Sequence, residues 1–128
     1  MLKKTLVKSF TLIHKDKRRA LREFESKEGK FSIQHYEVFK KVPMGNEFHK
    51  KREEIFVIVE GGGTVLLRRI GENGTPISKL QKHIIKAPAT IWIPPYTAHT
   101  LVMRPGTKMI CYTNRLFEPK DRYSITLQ

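Results

Sequence analysis

The sequence has a single cysteine, Cys111, in 128 residues. No internal disulfide can form, and the chain fits a reducing compartment. Long apolar runs are missing too, since nothing approaches the roughly 18 residues that a membrane-spanning helix needs. The basic N-terminal stretch MLKKTLVKSFTLIHKDKRR lacks an apolar core of signal-peptide length and a small-residue cleavage site. A cytoplasmic location with no membrane partner is therefore expected. Acidic residues are scarce, 12 against 25 lysines and arginines, which leaves a net charge of +13. Such a surplus favours anionic partners: nucleic acid, phosphorylated small molecules or an anionic surface. Zinc-finger spacing, an aromatic-rich RNA-binding stretch and a basic helix with heptads are all missing, which argues against nucleic acid. Convincing helical periodicity is the last absence.

What is present reads as short strands in one domain. Hydrophobic residues make up 39% of the chain, enough for a core. A chain of this length buries roughly two-thirds of its unfolded surface. The pattern predicts strands over Leu6 to Ile13, Phe31 to Lys41, Ile55 to Val59, Thr64 to Ile70, Leu80 to Ala87, Ala89 to Ile93, His99 to Met103 and Lys108 to Thr113. Ala20 to Glu25 reads as strand or brief helical turn. Val42 to Gly45 is expected to be a turn. The run Gly61 to Gly63 is expected to close a hairpin between the strands on either side. Tail residues 114 to 128 are expected to lie across the outside. About nine short strands punctuated by Gly and Pro imply a sandwich or barrel.

The chemistry concentrates in MGNEFHKKREEIFVIVEG, Met44 to Gly61, where Glu47, His49 and Glu54 precede an apolar run. Glu47 and His49, two apart on extended chain, point to one face. Phe56 and Ile58 share Glu54's strand face and are expected to floor a pocket. Val57 and Val59 are expected to face the opposite sheet or a partner. A second such place is IWIPPYTAHTLVM, Ile91 to Met103, where His99 follows a proline turn. Trp92 is expected in the core or a dimer interface, and Cys111 in the core. Strands apolar on both faces in so small a barrel lead us to expect a homodimer.

These two stretches resemble the paired motifs of the cupin superfamily. The first motif is roughly G-x5-H-x-H-x3,4-E-x6-G. His49, Glu54 and Gly61 match its second half, while Glu47 stands where the first histidine is usual. The second is roughly P-x-G-x2-H-x3-N, matched by Pro94 and His99, with Tyr96 and Met103 in place of the glycine and asparagine. The resemblance implies an all-β, single-domain cupin jelly-roll barrel (a double-stranded β-helix) over residues 1–128, with its core at about 31–113. The stretch from Gly45 to Gly61 also resembles cupins of sugar-nucleotide and polysaccharide pathways, the dTDP-sugar 3,4-ketoisomerases and relatives of the dTDP-4-dehydrorhamnose 3,5-epimerases. DKRRAL at Asp16 to Leu21 resembles their D-x-R-G-x-L opening, with Arg19 for the glycine, and RLFEPKDRYS resembles the ketoisomerase tail.

Two readings of the pocket stay open. In one, Glu47, His49, Glu54 and His99 hold one divalent transition metal (Mn, Fe, Ni or Zn), a set whose ligand types suit all four. In the other there is no cofactor, and His49 is a general base for isomerising or epimerising a nucleotide-linked or phosphorylated keto sugar. Tyr36 or Tyr96 then supplies the acid, and Lys50, Arg52 and Arg68 bind phosphate. An oxygenase-like metal cupin and a non-catalytic ligand-binding cupin are the alternatives, because Glu47 departs from the family pattern.

Overall fold

Among the described residues, eleven strands build two facing sheets, and the order of strands in each shows how far from local much of the pairing is. The computed structural model describes residues 5–128; Met1 to Lys4 of the basic N-terminal stretch lie outside the described residues. The strands are β1 (Thr11–Lys15), β2 (Arg19–Glu25), β3 (Ser32–Val38), β4 (Pro43–Phe48), β5 (Glu54–Glu60), β6 (Gly62–Arg69), β7 (Gln81–Lys86), β8 (Ala89–Ile93), β9 (Thr97–Met103), β10 (Lys108–Thr113) and β11 (Tyr123–Ser124). One sheet runs β1-β2-β3-β10-β5-β8 and the other β11-β4-β9-β6-β7, with all pairs antiparallel. This is the expected jelly-roll barrel. Among the described residues the only helical piece is a 3-10 turn, Pro119–Asp121.

Period-two alternation sorts the side chains between barrel interior and exterior. Across the first sheet, Gln34, Cys111, Phe56 and Ile91 stand in one inward row. The neighbouring inward row is Ser32, Thr113, Glu54 and Ile93. Apolar floor thus gives way to polar mouth within two residues of β5. In the second sheet Met44, Leu101 and Val65 form the apolar row. Glu47, His99 and Leu67 form the row beside it. Phe56, Ile58, Val65, Leu101, Met103, Met109 and Cys111 make the main core between the sheets. Ile58 is completely buried. Ile58→Ala is expected to cost about 2–5 kcal/mol and Ile58→Val about 0.5–1.5, read from urea midpoints at unchanged slope.

Several expectations need correction. Strands 55–59 and 64–70 do not pair as a hairpin: β5 lies between β10 and β8, while β6 lies between β9 and β7. The glycines carry the chain from one sheet to the other. Gly61 has φ +81, and a Cβ on Gly63 would stand 2.3 Å from the Val102 carbonyl oxygen. Close backbone approach, not a two-residue turn, demands glycine there. Val42 to Gly45 is mostly strand β4, because the left-handed residues Gly45 and Asn46 form a bulge inside it rather than a turn before it. The opening strand is β1, which starts at Thr11, not Leu6. Of the two places expected for Val57 and Val59, the opposite sheet is excluded: both are exposed on the exterior, the side a partner would meet. Trp92 is not core: the residue is 61% exposed, and its indole N–H donates to Glu53.

The tail does lie across the outside. Leu127, with Tyr123 and Ile125, packs on Phe48, Ile70 and Ala98 over the outer face of the second sheet. Asp121, on the way there, is buried.

Candidate functional site

The bulge at Gly45 and Asn46 shifts register so that Glu47 pairs with His99 and faces inward. A Cβ at Gly45 would lie 2.7 Å from the His99 carbonyl oxygen, so only glycine lets the strands approach there. His49 follows on the same face, and Glu54 reaches in from the opposite sheet. Each imidazole is tied at its far nitrogen. His49 Nδ1–H donates to the Asp121 carbonyl (2.6 Å), and His99 Nδ1–H to the Thr97 carbonyl (3.0 Å). A carbonyl can only accept, so in the neutral rings both Nε2 atoms are left as lone pairs facing the pocket.

Those lone pairs meet carboxylates. Glu54 Oε1 is 3.4 Å from His49 Nε2 and 3.2 Å from His99 Nε2, while Glu47 Oε2 is 3.5 Å from His49 Nε2. One ligand atom each from Glu47, His49 and His99 lies within 4.8 Å of the others. Glu54 Oε1 is buried without a hydrogen-bond partner. Acceptors gathered this closely repel unless positive charge sits among them, either as protons on the rings or as a cation. Both the orphaned oxygen and the mixed N/O donor set fit a divalent transition metal, and the carbonyls behind the histidines are the usual outer partners of such ligands.

Ionisation follows the same geometry. Burial raises the Glu54 pKa, but His49, His99 and then Arg52 beside it more than reverse this and hold it below the usual carboxylate range. Burial lowers the His99 pKa, and contact with Glu54, the Thr97 carbonyl and Glu47 more than restores it, leaving it raised. Glu54, with its folded pKa depressed, stabilises the fold above its unfolded value of roughly 4.3, a gain lost as pH falls through the folded value. His99, with its folded pKa raised, stabilises below its unfolded value of roughly 6.5, a gain lost as pH rises through the folded value. The metal-free protein is therefore expected to melt highest between about pH 4.3 and 6.5. In thermal melts, His99→Gln should flatten the fall on the alkaline side.

The site sits in a cavity of about 170 Å³, whose wall also carries Arg19, Arg52, Arg122, Gln34 and Tyr36. Arg52 is buried, its Nη2 3.6 Å from Glu54 and its Nε without a partner. Arg122 Nε is 2.9 Å from Glu47 Oε2. The Tyr36 hydroxyl donates to Gln34 Oε1 (2.9 Å). Burial, then Cys111 and Glu54, push its pKa well up, so it stays a neutral phenol able to donate. Cys111 lies behind Glu54, its thiol pKa pushed far up by burial; it is an inert core group.

Of the residues singled out from sequence, Glu47, His49, Glu54, His99, Tyr36 and Arg52 converge here. Three do not. Tyr96 and Arg68 line a separate depression beside Ser78 and Gln81. Leu67 takes the inward place beside His99, so Arg68, next along β6, faces out. Tyr96, at φ 60, serves the site only through its backbone N–H, which donates to the His49 carbonyl (2.7 Å). The Lys50 ammonium lies 4.5 Å over the Tyr123 ring instead of in the cavity. Asp121 and Arg122 escaped the sequence reading, as did the pocket roles of Arg19 and Gln34.

A family model, the polysaccharide biosynthesis C-terminal domain, matches residues 14–124. The chain belongs to that family. No curated protein matches this domain's sequence. Solved structures share its fold. CapF bound to the inhibitor 3-isopropenyl-tropolone superposes with a TM-score of 0.77 at 20% identity, over 93% of this chain and 36% of that one. The capsular polysaccharide assembling protein CapF from Staphylococcus aureus gives 0.72 at 21% identity, over 93% and 33%. This polysaccharide biosynthesis C-terminal domain thus spans about a third of the CapF chains it matches. A Streptomyces PAC13 variant with uridine gives 0.65 at 16% identity, over 99% and 93%. The fold is the all-β cupin jelly-roll barrel that the motifs implied.

Proposed function

We propose that this domain acts in polysaccharide biosynthesis as an isomerase or epimerase of a nucleotide-linked or phosphorylated keto sugar. One observation carries the reading: His49 and His99, each held through Nδ1 by a backbone carbonyl, turn their Nε2 atoms into a small cavity that also holds a buried arginine and a neutral phenol. Isomerisation next to a carbonyl removes a proton from carbon and returns one at another atom, with no net change of oxidation state. His49 Nε2 takes the proton, and Glu54 and Glu47 stabilise the imidazolium that forms. Tyr36 O–H stands as proton donor to the enolate oxygen. Arg52, Arg19 and Arg122 hold the anionic part of the ligand. The cavity is smaller than the usual 300–1,000 Å³ of small-molecule sites. It suits one sugar ring, with the charged remainder at the mouth. The family's pathway supports this reading, as does a uridine in a fold-mate.

The orphaned Glu54 oxygen favours a second arrangement of the same pocket, in which Glu47, His49, Glu54 and His99 hold a divalent cation. Such a cation would supply Lewis acidity toward a carbonyl oxygen. Arg52 and Tyr36 would keep their roles toward the ligand.

The experiment is solvent exchange: incubation with dTDP-4-keto sugars in D2O, followed by mass spectrometry of the recovered sugar. Deuterium next to the carbonyl is expected, and it must depend on the protein. Absence of wash-in across nucleotide-linked and phosphorylated keto sugars would overturn the proposal. Elemental mass spectrometry of the untagged protein decides between the two arrangements.

A further inference from the structure

The chain leaves β10 at Thr113, crosses the barrel mouth at Phe117 and Arg122, and ends on the outer face of the second sheet. On the way it touches nearly every residue of the 46–52 segment. The Asp121 carboxylate accepts from three successive backbone N–H groups, those of Lys50 (2.8 Å), Lys51 (3.2 Å) and Arg52 (3.0 Å). The Asp121 carbonyl accepts from His49 Nδ1–H. Arg122 holds Glu47, Tyr123 stacks on Phe48 with centroids 5.1 Å apart, and Asn46 accepts from Ile125 and Leu127.

This strap settles a competition over one proton. Two carboxylates lie 3.4–3.5 Å from His49 Nε2 and attract a proton there. The Asp121 carbonyl, 2.6 Å away on the other side, draws it to Nδ1. Without the strap, the two carboxylates are the charged acceptors left beside the ring among the described residues, and they draw the proton to Nε2, which becomes a donor. Then it can neither abstract a proton nor hold a cation.

We propose that Asp121 is a positioning residue that keeps the tail seated and thereby holds His49 in its Nδ1–H tautomer, so that seating of the tail arms the pocket. The inference rests on His49 working through Nε2, the atom used in both arrangements above. It also makes tail seating and cation binding reciprocal: whatever favours one favours the other.

The test reads the tautomer directly, without substrate or metal. Two-bond 1H–15N correlation spectra of labelled, metal-free protein at mildly alkaline pH should show wild-type His49 protonated at Nδ1. In Asp121→Ala the pattern should move to Nε2–H, with faster tryptic cleavage after Lys120 and Arg122 and with His99 unchanged. Should Asp121→Ala fail to fold, Leu127→Ala loosens the same strap from outside. Binding of Co2+, measured by competition with a chromophoric chelator, should weaken about 10–100-fold in the variant. A folded variant whose His49 tautomer matches wild type overturns the proposal, as does a wild-type His49 already protonated at Nε2. If wild type binds no Co2+ and exchanges no deuterium, the functional reading fails, while the tautomer shift still decides the strap.

Discussion

His49→Ala is expected to lower deuterium wash-in about 10²–10⁴-fold, the usual worth of a positioned general base. The substitution removes the only Nε2 that both carboxylates approach within 3.5 Å from opposite sheets. Glu54, buried and held ionised, is too weak a base to replace it. His49→Gln keeps most of the volume and a group able to donate to the Asp121 carbonyl, yet has no titratable nitrogen. It should lose as much rate as alanine while melting closer to wild type. The alanine variant should melt lower, because the Asp121 carbonyl is left unsatisfied at a cost of about 1–3 kcal/mol. Separating melting temperature from rate is what distinguishes a base from a packing residue. Wash-in within tenfold of wild type in a folded His49→Gln would remove His49 from the chemistry.

The second large effect is on stability. Gly61→Ala should destabilise by at least about 3 kcal/mol, since a left-handed conformation costs an L-residue about 1–3 kcal/mol before any clash is counted. The added Cβ would stand 2.5 Å from Thr107 Oγ1 and 2.8 Å from its Cα. Thr107 is completely buried, and its hydroxyl both accepts from the Gly62 N–H and donates to the Gly62 carbonyl, so it has no free direction in which to yield. Gly74→Ala is the control. Its φ, +85, is nearly the same, but nothing lies within 4 Å of the new atom. Urea unfolding of both variants separates backbone strain from collision. Equal losses would show that the crossing between sheets tolerates a methyl group, contrary to the packing described.

The reach of the sequence had physical limits. Glu47, His49, Glu54 and His99 were legible because each sits on a strand whose alternation fixes its face, and because motif spacing brings the strands together. Asp121 was not legible. Its partners lie about seventy positions away, and its bond to His49 uses a carbonyl that every residue owns. The false hairpin came from glycine's two uses: a tight turn and a close passage leave the same letters. Arg68 and Tyr96 failed on parity. One step along β6 turns a side chain from cavity to exterior, and a left-handed residue breaks the alternation altogether.

In the barrel, β3 lies against β10, β4 against β9 and β5 against β8, so β3, paired locally with β2 on one edge, waits for one of the last strands to fill the other. Topologies of such high contact order fold in milliseconds to seconds rather than microseconds. Glu54 and His99 meet only when the two sheets close on each other. A nascent or partly folded chain therefore has no trace of the pocket, and its unpaired β-branched edges stay open to other chains until the final strand arrives.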